Sequence, residues 1–243
     1  MDSFTLLMVL LTTHLLGDFV LQRETWIKDK VLKGVRSKGL VYHIMIHAFL
    51  IFPLLISGDL FLREWTILIV THYLIDLGKI YAMRLGHHIL FFMLDQLLHL
   101  VVIIYVVYGT NFIHLIDFNT DLLLQLSILA ICVILLTKVS GMAIAYILKP
   151  WSEQLEEEKE DSLKKAGSFI GNLERLFVFF LAFFGQMSAI GFLIAAKSVF
   201  RFGDLQKSKG RKLTEYVLIG TMLSFGMALA VYLLQVWLWT LKP

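Results

Sequence analysis

The amino-acid sequence predicts an all-α fold, a polytopic bundle of about seven hydrophobic membrane helices. Hydrophobic residues make up 58% of the 243 positions, charged residues make up 17%, and the mean hydropathy is +0.77. A typical soluble domain is only about half apolar. Apolar runs of about 18 residues, long enough to cross a bilayer as a helix, recur along the chain. These observations predict an integral membrane protein. The net charge of +3 is too small to indicate a nucleic-acid partner.

Seven apolar segments are predicted to cross the membrane. They are residues 4–22, 40–57, 65–83, 89–109, 121–148, 170–198 and 213–240. The fifth segment carries Lys138 and Gly141, so its second half is expected to break or to lie at the membrane interface. The sixth contains Gly185 and Gly191 and is expected to kink.

The chain divides by composition into a four-span bundle, residues 1–115, and a carboxyl-terminal helical region with charged cytosolic loops, residues 116–243. The first loop, 23–39, holds six Lys and Arg residues, whereas the connector 110–120 holds none. Because basic loops remain in the cytosol, this bias predicts a cytoplasmic-membrane protein whose amino terminus lies outside.

The basic loop 201–212 conflicts with a simple count of spans. Its charge predicts a cytosolic position, but seven crossings would place it outside. Either the sixth segment re-enters the membrane without crossing it, or the fifth does not span as drawn.

Paired polar residues interrupt each of the first four segments. Two potential metal ligands occur four residues apart in every one, so a helix places both on one face, one turn apart. The pairs are His14 and Asp18, His43 and His47, His72 and Asp76, and Asp95 and His99. All eight lie about 3–11 residues from the cytosolic end of their segment, which predicts a shared depth in the bilayer.

The energetics of burial favour a metal site for these eight side chains. An ionisable group at membrane depth costs roughly 2.5–3.5 kcal/mol even on lenient scales, and a bound cation offsets that cost. Five imidazoles and three carboxylates suit zinc, iron or manganese, and their number predicts a dinuclear centre, with zinc preferred. The carboxylates are the candidate catalytic bases. A hydrogen-bonded polar core and a haem site are the alternatives.

Three further polar residues adjoin the predicted centre. Gln22 lies one turn beyond the His14/Asp18 stripe, and Gln96 is next to Asp95. Lys79 lies about one turn beyond the carboxyl group of the third span. We expect Lys79 to extend to the cytosolic surface in preference to pairing with that carboxylate.

A second set of charged residues occurs near helix ends in the carboxyl-terminal half. Its members are Glu174, Arg175, Lys197 and Arg201, with Glu215 nearby. The functional interpretation is an anion-binding or headgroup-binding patch beside the metal site, acting as a cofactor- or substrate-binding surface. Interfacial anchoring and ion pairing between helices is the alternative that we favour for these charges.

Several motifs carry a resemblance to a known family. The strings "HLLGDFVLQ", "HIMIH", "HYLIDLGK" and "LDQLLH" resemble a bacterial membrane protein family catalogued as domain-of-unknown-function family 3307. The resemblance covers about the first 110 residues and includes all eight paired His and Asp positions. The later strings "IGNLER", "AAKSVFRF" and "EYVLIGT" are similar to an extension in longer members. The resemblance implies a shared polar site and no particular activity.

Three functions compete for this pattern. A metal-dependent membrane hydrolase acting on a lipid, lipid-linked or phosphoester substrate is preferred, because a metal-bound water and carboxylate bases suit hydrolysis. A di-iron oxidoreductase is disfavoured because such bundles use Glu ligands. A transporter for metal ions or protons is disfavoured because the outer halves of the four spans lack a polar path. An oligomer is compatible with the sequence.

Overall fold

The computed structural model describes residues 1–83, 88–109, 120–153, 161–199 and 208–242, and within those ranges the regular secondary structure is entirely helical. Five helical stretches are long and apolar enough to cross a membrane: Ser3–Leu21, Lys38–Ile56, Leu90–Gly109, Thr120–Ile147 and Glu215–Thr240. The prediction of an all-α membrane protein is therefore confirmed. The count of seven spans is not confirmed.

The chain forms two compact units, residues 1–131 and 132–242. The boundary that the sequence predicted at residue 115 lies outside the described residues. In the first unit the elements are α1 (Ser3–Leu15), a π-helical turn (Leu16–Leu21), α2 (Glu24–Lys33), a 3₁₀ turn (Gly34–Arg36), α3 (Lys38–Ile56), α4 (Leu62–Ala82) and α5 (His88–Gly109).

Side chains define where two of these helices begin. The carboxylate of Asp2 accepts a hydrogen bond from the Thr5 amide at the start of α1, and the Ser37 hydroxyl accepts one from the Leu40 amide at the start of α3. Both satisfy amides that the first turn of a helix leaves without a partner. The unbroken helix α4 covers the predicted third span, but its polar side chains lower its hydropathy, and it is not among the five apolar stretches.

The apolar core of the first unit lies at one end of its helices. It joins the beginning of α1 and α4 to the end of α3 and α5, as expected for antiparallel neighbours. Its buried members are Leu6, Leu10, Ile51, Leu54, Leu60, Leu68, Ile103, Val106 and Val107. The paired His and Asp residues therefore lie toward the other end of the same helices.

The second unit contains the end of α6 (Thr120–Ile134), a second π-helical turn (Leu135–Val139), α7 (Ser140–Ile147), α8 (Lys149–Glu153), α9 (Asp161–Phe183), α10 (Met187–Val199) and α11 (Ser208–Thr240). The fifth span does not break as expected, since Thr120–Ile147 is one continuous helical stretch, but it widens at the π-helical turn that includes Lys138.

The sixth predicted span is a helical hairpin. The helix breaks at Gly185, whose φ of +72° favours glycine, and α10 returns along α9. Lys197 pairs with Glu174 at 2.6 Å, so residues about equally distant from the turn lie side by side. The sixth predicted segment is therefore two helices joined at Gly185, and its path through the membrane stays a prediction.

Candidate metal centre

Four helices of the first unit bring the eight paired His and Asp residues into one cluster. Each side chain is nearly fully buried, the most exposed being His14 at 9% and Asp18 at 8%. Their donor atoms form three overlapping groups within which all atoms lie inside 4.8 Å: His14, Asp18, His47 and His72; His43, His72 and Asp76; and Asp76, Asp95 and His99. The expected convergence of the four helices is thus present in the structure.

The carboxylate of Asp18 is the meeting point of three imidazoles. Its Oδ1 lies 3.1 Å from Nε2 of His47, 3.3 Å from Nε2 of His43 and 3.7 Å from Nε2 of His72. Ligand atoms bound tetrahedrally to zinc at about 2.1 Å would lie about 3.4 Å apart. These three distances are close to that value, and two of the imidazoles, those of His47 and His72, share a donor group with Asp18.

The π-helical turn at Leu16–Leu21 positions Asp18 in the cluster. A π-helical turn widens the helix and occurs frequently at functional sites. Gly17 in the same turn allows His47 to approach, because a Cβ there would lie 2.3 Å from the Cε1 and Nε2 atoms of that imidazole. The four-residue spacing in the sequence predicts the ligand pair, but it does not predict the π-helical turn that orients Asp18.

Asp95 and His99 present two polar atoms without partners. Nδ1 of His99 donates to the Asp95 backbone carbonyl at 2.8 Å, which leaves Nε2 with a free lone pair. Neither that Nε2 nor Oδ1 of Asp95 has a hydrogen-bond partner within the described residues, and both atoms are buried. A buried unsatisfied polar atom costs roughly 1–3 kcal/mol. Both atoms can bind a cation, so these residues fit a metal ion.

His43 joins the two ends of the cluster. Its Nε2 lies 3.1 Å from Nε2 of His72 and 3.4 Å from Oδ2 of Asp76. On its other side, the side-chain amide of Gln22 lies 3.2 Å from Nδ1. Because an amide nitrogen donates, this contact makes Nδ1 the acceptor and places the proton of the neutral ring on Nε2, which faces His72 and Asp76.

Gln96 connects the two carboxylates that are nearest to it. Its Nε2 donates to Oδ2 of Asp18 at 3.1 Å and to Oδ2 of Asp95 at 3.0 Å, and its Oε1 lies 3.3 Å from Nε2 of His14. The expectation that Gln22 and Gln96 extend the site agrees with these contacts.

Two lysines pair with carboxylates of the cluster. Nζ of Lys30 lies 2.5 Å from Oδ2 of Asp76, and Nζ of Lys79 lies 2.6 Å from Oδ2 of Asp95. The expectation that Lys79 extends to the surface is wrong, because the neighbouring helix α5 supplies a carboxylate within its reach. The sequence places Lys30 among the charges of the first loop, whereas in the structure it lies on the buried side of α2, one helical turn from Trp26.

The carboxylate of Asp29 holds α2 against the start of α3. It accepts hydrogen bonds from the Ser37 hydroxyl at 2.6 Å and the Gly39 amide at 2.9 Å, and it pairs with Lys33 at 2.6 Å. These donors, Lys33 first, hold the pKa of Asp29 well below its ordinary value. Gly39 also permits close packing, because a Cβ there would lie 2.8 Å from the Trp26 backbone.

A small cavity of about 40 Å³ adjoins the cluster on the side of the apolar core. Imidazoles from all four helices line it, together with two threonines and six aliphatic side chains. The lining residues are Leu10, Thr13, His14, His47, Ile51, Leu68, Ile69, Thr71, His72, His99, Val102 and Ile103. Its volume suffices for a water or a similarly small molecule.

The predicted carboxyl-terminal patch is divided in the second unit. Glu174 and Lys197 pair with each other. Arg175 is 4% exposed and donates instead to the Leu136 carbonyl, the Ser224 hydroxyl and the Asn172 side-chain oxygen.

The two groups separate because neighbouring residues on a helix face different directions. Arg201 lies outside the described residues, and Glu215 is exposed at the start of the apolar part of α11.

Comparison with known proteins identifies the region that contains the cluster. Residues 6–124 match the family described as "Protein of unknown function (DUF3307)". No curated protein and no solved structure matches the chain. The match covers all eight clustered His and Asp residues, as the motif resemblance predicted. The similarity to the DUF3307 family thus covers residues 6–124, just under half of the chain.

Proposed function

We propose that the chain is a membrane-embedded, metal-dependent hydrolase acting on a lipid, lipid-linked or phosphoester substrate. One observation carries the proposal: imidazole and carboxylate atoms from four helices converge at ligand spacing in a buried site. Such side chains are costly at membrane depth unless they have a function or a counter-charge. The proposed location is the cytoplasmic membrane, with the amino terminus outside.

The donor groups suggest how two ions would be held. The first ion would bind to His14, Asp18, His47 and His72, and the second to Asp76, Asp95 and His99, with His43 between them. Mixed nitrogen and oxygen ligands favour zinc, with iron or manganese as the other candidates. A divalent ion supplies a nucleophilic water near neutral pH.

The carboxylates have separate roles in this proposal. Asp18 acts mainly as a ligand, since three imidazoles surround its Oδ1. Asp76 and Asp95 adjoin the second donor group, where a carboxylate oxygen could accept the proton of the attacking water. Oδ1 of Asp95 has no hydrogen-bond partner within the described chain, so this atom is available to the second ion and the base would be the oxygen of Asp76 or Asp95 that the ion does not bind.

Elemental analysis of the purified full chain tests the metal centre. Wild type is expected to carry about two equivalents of a divalent metal. A variant with both His43→Ala and His47→Ala is expected to lose most of it. Equal and negligible metal in the two proteins would refute the proposal. Metal-dependent hydrolysis of phosphoester and lipid-ester substrates then tests the reaction.

A membrane oxidoreductase is the second candidate function. The cavity beside four imidazoles favours it, because dioxygen is a molecule that such a small, mostly apolar space accepts. The lack of Glu among the eight clustered residues weighs against a di-iron centre of the usual bundle type. Iron content with an oxygen-sensitive absorption spectrum would favour this candidate over hydrolysis, and zinc would favour hydrolysis.

Transport receives less support. The buried aliphatic cluster formed by residues from Leu6 to Val107 fills one end of the four-helix unit. A route for ions requires polar groups through the whole membrane. Metal flux across vesicles containing the protein would reverse this ranking.

The carboxyl-terminal charges remain a proposed headgroup site. The charge of Arg175 is its one support, and that support is weak, because each guanidinium nitrogen already has an acceptor within the described chain. The Glu174–Lys197 pair is already neutral and contributes less to such a site.

A further inference from the structure

Two lysines of the first unit, Lys30, which is buried, and Lys79, whose side chain is 22% exposed, are not explained by metal binding alone. Each ammonium group has three N–H donors. Within the described residues, Nζ of Lys30 has one acceptor, Oδ2 of Asp76, and Nζ of Lys79 has one, Oδ2 of Asp95. Lys30 is only 5% exposed, so water does not readily satisfy its remaining donors.

The lysines reach the same group of ligands from different elements. Lys30 lies on α2, which Asp29, Ser37 and Gly39 anchor to α3, and Lys79 lies on α4. Their partners, Asp76 and Asp95, have carboxylate atoms within 4.8 Å of each other. Each ammonium group therefore contacts one carboxylate of the donor group proposed for the second ion, at 2.5 Å for Lys30 and 2.6 Å for Lys79.

The charge of the site decides what else can enter it. With neutral imidazoles, the two ammonium groups leave one of the three carboxylate charges unbalanced. One divalent ion changes the net charge of the site from one negative to one positive charge. A second divalent ion raises the net charge by two more positive charges. Excess positive charge is costly in a membrane interior of low dielectric constant. The metal-loaded site consequently favours binding of an anion. This preference becomes stronger as the positive charge of the site rises.

We propose that Lys30 and Lys79 bind the phosphate group of the substrate at the metal-loaded centre. The proposal rests on the proposed function and makes the substrate a phosphate compound. In the metal-free chain each ammonium neutralises a carboxylate. When metal ions take over Asp76 and Asp95, the ammonium groups donate to the phosphate oxygens. Phosphate is the preferred anion because it can accept from both lysines and still contact the metal.

Binding of inorganic phosphate to the full chain in detergent tests the proposal. The proteins are wild type, Lys30→Gln, Lys79→Gln and the control Lys28→Gln, which makes the same change on the exposed side of α2. Metal content and phosphate affinity are measured on each protein. Loss of a charged hydrogen bond predicts about tenfold weaker phosphate binding or more in the Lys30 and Lys79 variants. The control is expected to match wild type.

The two measurements separate the possible failures. Metal bound normally, with phosphate affinity unchanged in both lysine variants, would overturn the role of the lysines and leave the metal centre intact. Wild type without metal would refute the proposed function and this inference together. If the Gln variants do not fold, Lys30→Met and Lys79→Met, which keep the apolar stem and remove the charge, replace them. Retained metal with an altered phosphate affinity then supports the proposal, and an unaltered affinity overturns it.

A competition experiment identifies the source of the phosphate. Phosphatidylcholine vesicles with and without phosphatidic acid are added to the phosphate-bound protein. Displacement that requires phosphatidic acid and both lysines supports a lipid headgroup. Binding of inorganic phosphate without such displacement supports a free phosphate compound. If both kinds of vesicle displace phosphate from the lysine variants as well as from wild type, binding of phosphate by Lys30 and Lys79 is contradicted.

Discussion

The two compact units bury charge in different ways. The first unit gathers three carboxylates and two ammonium groups around five imidazoles, and buried atoms of Asp95 and His99 still lack partners within its described residues. Among its described residues the second unit buries one guanidinium, that of Arg175, and each of its nitrogens has an uncharged acceptor. Buried polar atoms without hydrogen-bond partners indicate a site for a ligand, whereas a group whose nitrogens all have acceptors indicates a structural support.

Both units use a π-helical turn, and the comparison extends to that feature. In the first, the turn at Leu16–Leu21 carries Asp18 into the cluster. In the second, the turn at Leu135–Val139 presents the Leu136 carbonyl to Arg175. The same local irregularity thus positions a candidate ligand in one case and a hydrogen-bond acceptor in the other.

The strongest test of the contrast is Asp18→Asn. The neutral amide lacks the charge around which three imidazoles converge, so metal affinity is expected to fall by more than about 100-fold. Metal titration followed by elemental analysis measures the loss. Glu24→Gln, an equivalent change at an exposed position of α2, is the control and should bind like wild type. Full metal binding by Asp18→Asn would contradict the assignment of the cluster around Asp18 as a metal site.

Gly17→Ala tests whether the close approach of His47 matters. The added Cβ would lie 2.3 Å from the imidazole and must displace it. Overpacking predicts a loss of about 1–3 kcal/mol in the free energy of unfolding, together with weaker metal binding. Gly78→Ala, where a Cβ meets nothing within 4 Å, should stabilise α4 slightly. Equal effects of the two substitutions in thermal unfolding and metal titration would contradict this account.

Arg175→Gln tests the structural side of the comparison. The variant loses charged hydrogen bonds, each worth about 1.5–3 kcal/mol, and leaves the Leu136 carbonyl without its donor. We expect a lower unfolding temperature with unchanged metal content. A fall in metal content in the folded variant would contradict the assignment of Arg175 to a purely structural role. Arg175→Lys should recover part of the stability through its remaining charge.

The smallest effect is expected at Asp29. Its folded pKa is depressed below 3.8, so its contribution to stability is present above that value and disappears as the pH falls through the folded pKa. Hydrogen exchange of the α2 amides should therefore remain slow down to about pH 4. In Asp29→Asn the exchange should be faster at every pH. Identical exchange in both proteins would mean that other contacts hold α2 in place.

The sequence by itself determined the membrane class, the all-α fold and the eight candidate ligands. Each of these depends on local information. Hydropathy over one helix length decides whether a segment suits a bilayer, and a spacing of four residues decides which side chains share a face. Metal binding by His14, Asp18 and the other paired residues remains a prediction.

Only the tertiary structure decided which residues meet across helices. The pairing of Lys30 with Asp76 joins positions 46 residues apart, and the contact of Arg175 with Leu136 joins positions 39 apart. The widened turns and the reversal at Gly185 likewise determine which face of each helix meets its neighbours. Such contacts depend on how helices pack, and the spacing of residues within one helix carries no information about the face that its neighbour presents.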